Sequence, residues 1–212
     1  MIIIIFNMIN ITNIKDIKYD YLSSYDVPSN TDLMSKCVED VFSLIECEKI
    51  IEVSESIGYD KASLFNLNGK QYFYTDKRDS LRCIIDDAHF SSTLEQRIQH
   101  LIPSEYRGKK YHSINPRFRF LKYNDISHHF TPHYDGCYST DKILSMITIL
   151  IYLNDNYIGA RTCTNKNKKT IICEIEPKPG LIYMMDQAIL HSVPNLVSGT
   201  KYVIRTELMY LI

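Results

Sequence analysis

The chain has 212 residues, 45% of them hydrophobic and 23% charged, with a formal net charge of -1. That length suits one domain with a sizeable core. No run of Lys or Arg marks out a basic face, which argues against a protein whose main task is gripping phosphate backbones.

The amino terminus, Met1-Ile-Ile-Ile-Ile-Phe6, lacks the basic flank and the cleavage site of a secretory leader, and no apolar stretch reaches the length of a membrane span. Residues 1–38 mix Asn, Asp, Ser and Tyr without a clear period and read as an extension whose packing the pattern does not decide. The domain proper is drawn at residues 39–212. A first helix is predicted from Ser43 to about Ile57. Ser43 and Glu46 form a capping box, Gly58 supplies a stop, and Leu44, Cys47, Ile51 and Ile57 fall roughly on one face. A second helix is predicted from about Asp87 to Leu101, with Leu94, Ile98 and Leu101 at helical spacing and Pro103 just beyond.

From Asn115 the period changes to two. Arg117–Tyr123, Ile143–Leu153, Thr170–Glu176, Gly180–Asp186 and Lys201–Leu211 are the main strand candidates, with shorter ones near Phe130, Thr162 and His191. Two helices followed by many short strands predict an α+β domain whose sheet curls into a sandwich or barrel, its core at about 115–212. Six cysteines, at 37, 47, 83, 137, 163 and 173, include no C-x-x-C pair. They read as reduced thiols, which makes a cytoplasmic setting the expectation.

The chemistry centres on His133-Tyr134-Asp135. In an alternating stretch the first and third side chains project from one side of a strand. His191 lies on a later strand candidate that a barrel could carry opposite this pair. Two imidazoles and one carboxylate make the facial set of non-haem iron(II) oxygenases, which leaves open positions for other ligands. Taken alone the triplet is weak, and a hydrogen-bonded structural histidine is the plainer reading. The final strand, Gly199-Thr-Lys-Tyr-Val-Ile-Arg205, puts Lys201, Val203 and Arg205 on one face. A buried lysine needs a partner. A bound dicarboxylate would supply one, although a solvated edge-strand lysine fits as well. Arg205, the better fork for a planar carboxylate, could take an internal acid or a substrate group.

The chain resembles the prolyl 4-hydroxylase-like branch of the 2-oxoglutarate and iron(II) dioxygenases. The likeness runs from about Phe42 to Tyr210. It is carried by Phe42-Ser-Leu-Ile-Glu-Cys47, Arg78-Asp79 with Arg82, Pro116-Arg-Phe-Arg-Phe120, Phe130-Thr-Pro-His-Tyr-Asp-Gly136, Ile151-Tyr-Leu-Asn154, Pro179-Gly180 and Gly199-Thr-Lys-Tyr-Val-Ile-Arg-Thr-Glu-Leu-Met-Tyr210. The resemblance implies a double-stranded β-helix (a jelly-roll or cupin-like barrel) with helices on its outer face. It implies iron(II) on His133, Asp135 and His191, and the distal carboxylate of 2-oxoglutarate on Lys201. It places Tyr123 and Tyr152 beside that co-substrate, with Arg205 as the rival anchor. O2 is the oxidant and ascorbate a further candidate cofactor. The implied reaction hydroxylates a C–H bond, with a prolyl or other residue of a protein as substrate, and converts 2-oxoglutarate to succinate and CO2. Oxidative demethylation of nucleic acid, and an inactive barrel acting as a binding module, are the alternatives. The near-neutral charge weighs against the first and the intact ligand set against the second. Two departures, Gly159-Ala-Arg-Thr162 where the family shows a Gly-Gly pair and Ser192-Val193-Pro194 after the distal histidine, bear on substrate identity.

Overall fold

A computed structural model describes residues 22–65, 71–72 and 75–212. The apolar run at residues 1–6, and the rest of the extension before Leu22, lie outside the described residues. The principal elements in chain order are β1 (Ser35–Val38), α1 (Leu44–Ile57), β2 (Leu81–Asp86), α2 (Ala88–Ile98), β3 (Arg117–Tyr123), β4 (His129–His133), β5 (Ile143–Tyr152), β6 (Cys163–Asn165), β7 (Ile171–Glu174), β8 (Ile182–Asp186), β9 (His191–Val193) and β10 (Lys201–Leu211).

Two sheets result. A ten-stranded sheet runs from the short strand Ser24–Asp26 through β1, β8, β5, β10, β3 and β2 to Asp60–Lys61, with Lys109–Ile114 paired to the far end of β10. A five-stranded sheet has the order β7, β6, β9, β4, Arg78–Asp79. All these pairings are antiparallel. This is the jelly-roll architecture of the double-stranded β-helix.

Strand alternation divides the apolar side chains between two clusters. Phe118 and Phe120 of β3, Ile147, Ile149 and Ile151 of β5, and Ile204 and Leu208 of β10 pack outward, against Cys47 and Ile50 of α1 and Phe90, Leu94 and Ile98 of α2. Leu121, Tyr123, Leu150, Tyr152 and Val203, one residue out of step, join Val193, Ala160 and Ile175 in a cluster between the sheets. Period-two patterning thus buries both faces of the large sheet, each against a different partner.

The capping box forms as the sequence predicts, Ser43 receiving the Glu46 N–H while the Glu46 side chain returns to the Ser43 N–H. The buried face of α1 differs from the predicted one. Leu44 and Ile57 are exposed, and the buried positions are Glu46, Cys47, Ile50 and Ser54. Glu46 orients this face by meeting Arg97 of α2 at 2.6 and 3.1 Å, deep between the helices. The second helix is α-helical to Ile98, and its last predicted turn, Gln99–Leu101, tightens to a 3-10 helix. Within the stretch read as an extension, β1 pairs with β8, and Cys37 and Val38 are fully buried. All six cysteines are free, and no helix among the described residues is long and apolar enough to cross a membrane.

Candidate active site

His133 closes β4 and His191 opens β9, and the antiparallel register sets them directly opposite one another. Their rings lie 4.2 Å apart, centroid to centroid. The strand expected to carry both His133 and Asp135 ends at His133. Asp135 lies beyond it, where its N–H donates to the Gln187 carbonyl at 3.1 Å. The carboxylate still turns to the same point: Oδ1 is 4.0 Å from His133 Nε2 and Oδ2 is 3.8 Å from His191 Nε2. One donor atom from each residue lies within 4.8 Å of the others.

The hydrogen bonds behind the histidines fix which nitrogen is free. His133 Nδ1 is 2.7 Å from the Thr131 carbonyl and His191 Nδ1 is 3.0 Å from that of Ile189. A carbonyl can only accept, so each Nδ1 carries the hydrogen and each Nε2 presents a lone pair to the shared centre. Phe130 stacks on the His133 ring at 3.4 Å and further holds its plane. Burial, then the neighbouring His191, draws His133 down to about 3, so it is neutral at neutral pH. Burial pushes the Asp135 carboxyl up, but Arg205, the two histidines and Thr148 outweigh it and hold the group ionised, well below the usual carboxylate range. Two imidazole Nε2 atoms and one carboxylate oxygen, converging in a partly dry site, fit a divalent first-row metal such as iron(II).

Arg205 and three residues to which the sequence assigned no site role, Thr148, Glu207 and Arg119, support Asp135 and its surroundings. Thr148 of β5 donates to Asp135 Oδ2 at 2.6 Å. Arg205 Nε reaches the same oxygen at 3.3 Å, while its Nη1 meets Glu207 at 2.9 Å. Arg119 meets the same Glu207 oxygen at 2.8 Å. The alternation that selects Lys201, Val203 and Arg205 extends to Glu207. That of β5 groups Thr148 with Leu150 and Tyr152. Both signals were in the sequence.

Lys201 lies at the other end of the cavity, fully buried. Its ammonium donates to the Ala160 carbonyl at 2.7 Å and to Thr162 Oγ1 at 3.3 Å. Tyr123, Tyr152 and Tyr157 ring it at 5.3, 5.6 and 6.0 Å from their centroids, and the buried Tyr157 hydroxyl has no partner. Among the described residues no carboxylate pairs with Lys201, and burial pulls it down to about 7. A lone buried cation among aromatic faces and an unpaired hydroxyl is chemically matched to the far carboxylate of a dicarboxylic acid. The Ala160 carbonyl faces Lys201 because Ala160 adopts a left-handed backbone with φ 47°, at the position where the sequence shows Ala in place of the family's second Gly.

The two ends belong to one cavity of about 440 Å³, lined by His133, Asp135 and His191 on one side and Lys201, Val203 and Arg205 on the other. Apolar walls come from Leu121, Phe130, Leu150 and Val193. Tyr123 also lines it, whereas Tyr152 stands behind Lys201. His128 and His129 are outside the lining; His128 Nδ1 accepts the Asn124 N–H and His129 Nδ1 lies against the Ser127 carbonyl.

Comparison with known proteins agrees with this geometry. Residues 118–206 match the 2OG-Fe(II) oxygenase superfamily. No curated protein matches the chain by sequence. Solved structures similar in fold include a viral collagen prolyl hydroxylase from Paramecium Bursaria Chlorella virus-1 in complex with 2OG, with TM-score 0.59 and 17% identity over 84% of this chain and 96% of that one. A prolyl hydroxylase from Trichoplax adhaerens, in complex with a hypoxia inducible factor oxygen degradation domain peptide fragment, matches with TM-score 0.59 and 14% identity over 76% and 74% of the two chains. A Pseudomonas putida prolyl-4-hydroxylase matches with TM-score 0.55 and 12% identity over 84% and 92%.

Proposed function

We propose that this chain is a 2-oxoglutarate- and iron(II)-dependent dioxygenase, as the match of residues 118–206 supports, and that it hydroxylates a prolyl or other residue of a protein, with iron(II) held by His133, Asp135 and His191 and the distal carboxylate of 2-oxoglutarate held by Lys201. The observation that carries the reading is the convergence of the three donors, both Nε2 atoms free, in one cavity with an unpaired buried lysine. The jelly-roll neighbours include a prolyl hydroxylase with a bound peptide, which supports a peptide as the substrate. A second, more open groove shares Tyr134 and Asp135 with the cavity and continues past Cys137, Leu144 and Met146; such a trough suits an extended chain better than a compact small molecule. The free state of all six cysteines supports a reducing, cytoplasmic setting.

When bound, iron(II) and 2-oxoglutarate supply the oxidising chemistry: one atom of O2 goes into succinate as CO2 is lost, and the other into the substrate C–H bond. The protein's part is placement. His133 and His191 each offer an Nε2 atom, with the ring hydrogen on Nδ1 held by a carbonyl, and Asp135 offers an anion already formed. Thr148 and Arg205 both hold Asp135 Oδ2, so the carboxylate is oriented before a metal arrives. Lys201 anchors the far end of the co-substrate, with Tyr123 beside it in the cavity and Tyr152 behind the lysine. Leu121, Phe130, Leu150 and Val193 exclude water around the reacting groups.

The test is mass spectrometry of candidate proline-containing peptides incubated with the protein, iron(II), 2-oxoglutarate and O2. A gain of one oxygen atom, matched by an equal amount of succinate, is expected. Turnover of 2-oxoglutarate with no oxidised peptide in any pool would contradict the substrate assignment.

A further inference from the structure

The cavity carries more positive charge than its proposed metal and co-substrate can use. Antiparallel register builds a grid on the inner face of the large sheet: Leu121 of β3 stands between Val203 of β10 and Arg82 of β2, and in the next row Arg119 stands between Arg205 and Ile84. Strands lie about 4.8 Å apart, so the Arg82 backbone is two strands, or about 10 Å, to one side of Val203. Arg78, from the facing sheet, lines the same wall, mostly buried, with its guanidinium over the Phe130 ring at 4.9 Å.

These arginines are unevenly matched. Arg119 and Arg205 share Glu207, and Arg205 also holds Asp135. Among the described residues Arg82 donates to Ser63, at 3.2 Å to its carbonyl and 3.0 Å to its hydroxyl. Asp60, across from Arg82 in register, makes no ion pair with it among the described residues. Arg78 donates to the Ser80 hydroxyl at 3.2 Å and likewise meets no carboxylate. Among the described residues five cations, counting Lys201, thus face two carboxylates and leave three positive charges. Iron(II) and 2-oxoglutarate bring equal and opposite charges, so filling both sites leaves that excess in place. Burial and the neighbouring Arg119 pull Arg82 below its ordinary value, which records the same crowding. Like charges held together in a partly dry cavity are costly unless an anion joins them.

We infer that Arg82 and Arg119 form a subsite for a side-chain carboxylate of the substrate, so the preferred substrate is a peptide bearing Asp or Glu close to the oxidised residue. This rests on the peptide reading above. The excess lies within the cavity wall rather than along an exposed stripe, and the whole chain is slightly acidic; both favour a single anchoring carboxylate over a polyphosphate backbone. Guanidinium forks on adjacent strands suit a planar carboxylate.

The experiment uses the full chain with iron(II), 2-oxoglutarate and O2, and a set of proline peptides carrying Asp, Asn or Lys at each nearby position in turn. At one position Asp should exceed Asn in kcat/KM by about tenfold or more, the size of a charge-assisted hydrogen bond, with Lys poorer still. Arg82→Gln and Arg119→Gln should each shrink the Asp-to-Asn ratio, and Arg82→Glu should shift preference toward Lys. Equal rates for Asp and Asn peptides at every position would overturn the subsite while leaving peptide hydroxylation standing. An Asp preference that survives in both glutamine variants would overturn the assignment to these residues. Oxidation of a methylated oligonucleotide or of free N-acetylaspartate, with no peptide modified, would overturn the peptide reading and this inference with it.

Discussion

Replacing Lys201 with Met should move stability and co-substrate binding in opposite directions. In the free protein the lysine is fully buried without an acid, and its affinity for a proton falls from the ordinary 10.5 to about 7. A group that binds its proton more weakly folded than unfolded opposes folding. The penalty is complete below pH 7, where both states are charged, and fades as pH rises from about 7 to 10.5. At pH 7 it is on the order of 4 kcal/mol. Met removes that penalty but strands the Ala160 carbonyl that accepts from Lys201 at 2.7 Å, a loss of about 1–3 kcal/mol. The ligand-free variant should therefore gain about 1–3 kcal/mol, at about 2–4 °C of melting temperature per kcal/mol for a chain of this size. Its affinity for 2-oxoglutarate should fall about 10- to 150-fold, the worth of a charge-assisted bond. Thermal melting without ligand and anaerobic calorimetry with 2-oxoglutarate and iron(II) read the two effects separately. At pH 8 the wild type should take up close to one proton on binding the acid, because the ion pair recharges Lys201. A ligand-free Lys201→Met protein melting below wild type, or binding 2-oxoglutarate as tightly, would refute the reasoning.

Arg205→Gln should leave 2-oxoglutarate affinity nearly intact and weaken metal binding about tenfold by loosening Asp135, read by metal titration; loss of 2-oxoglutarate affinity in this variant alone would move the anchor from Lys201 to Arg205. Glu46→Gln leaves Arg97 buried between the helices beside a neutral amide and should cost about 3–5 kcal/mol in denaturant unfolding, while a loss under about 1 kcal/mol would mean the bridge contributes little. Gly180→Ala should destabilise by more than about 2 kcal/mol, because φ is 82° and the new methyl would collide with the Phe42 carbonyl; an unchanged melting temperature would mean that the loop yields.

Local patterns carried much of this into the sequence. The capping box of α1 and the alternation of β3, β5 and β10 depend on residues a few positions apart, and they appear where the pattern puts them. His133 and His191 meet because two short strands pair in register, a relation that strand spacing and family likeness together make readable, whereas Asp135 reaches them from just past the strand end. What stayed hidden depends on contacts distant in the chain. The inward face of α1 follows the Glu46–Arg97 bridge rather than the apolar residues of the helix. The edge strand Ser35–Val38 is short and partly polar, and its place is fixed by pairing with β8. Arg78, Arg82 and Arg119 each look like ordinary strand cations, and only the register of β2 on β3, with the facing sheet, gathers them at one wall.

The most direct test of the account is succinate production from 2-oxoglutarate under iron(II), O2 and a peptide pool, comparing wild type with His133→Ala, Asp135→Ala and His191→Ala, with bound iron measured in the same samples. The account predicts succinate matched by singly oxygenated peptide in the wild type, and loss of both iron and turnover in each variant. Near-normal iron content and turnover in any one of the three would remove that residue from the metal site, and a wild type that binds iron yet makes no succinate would contradict the account as a whole.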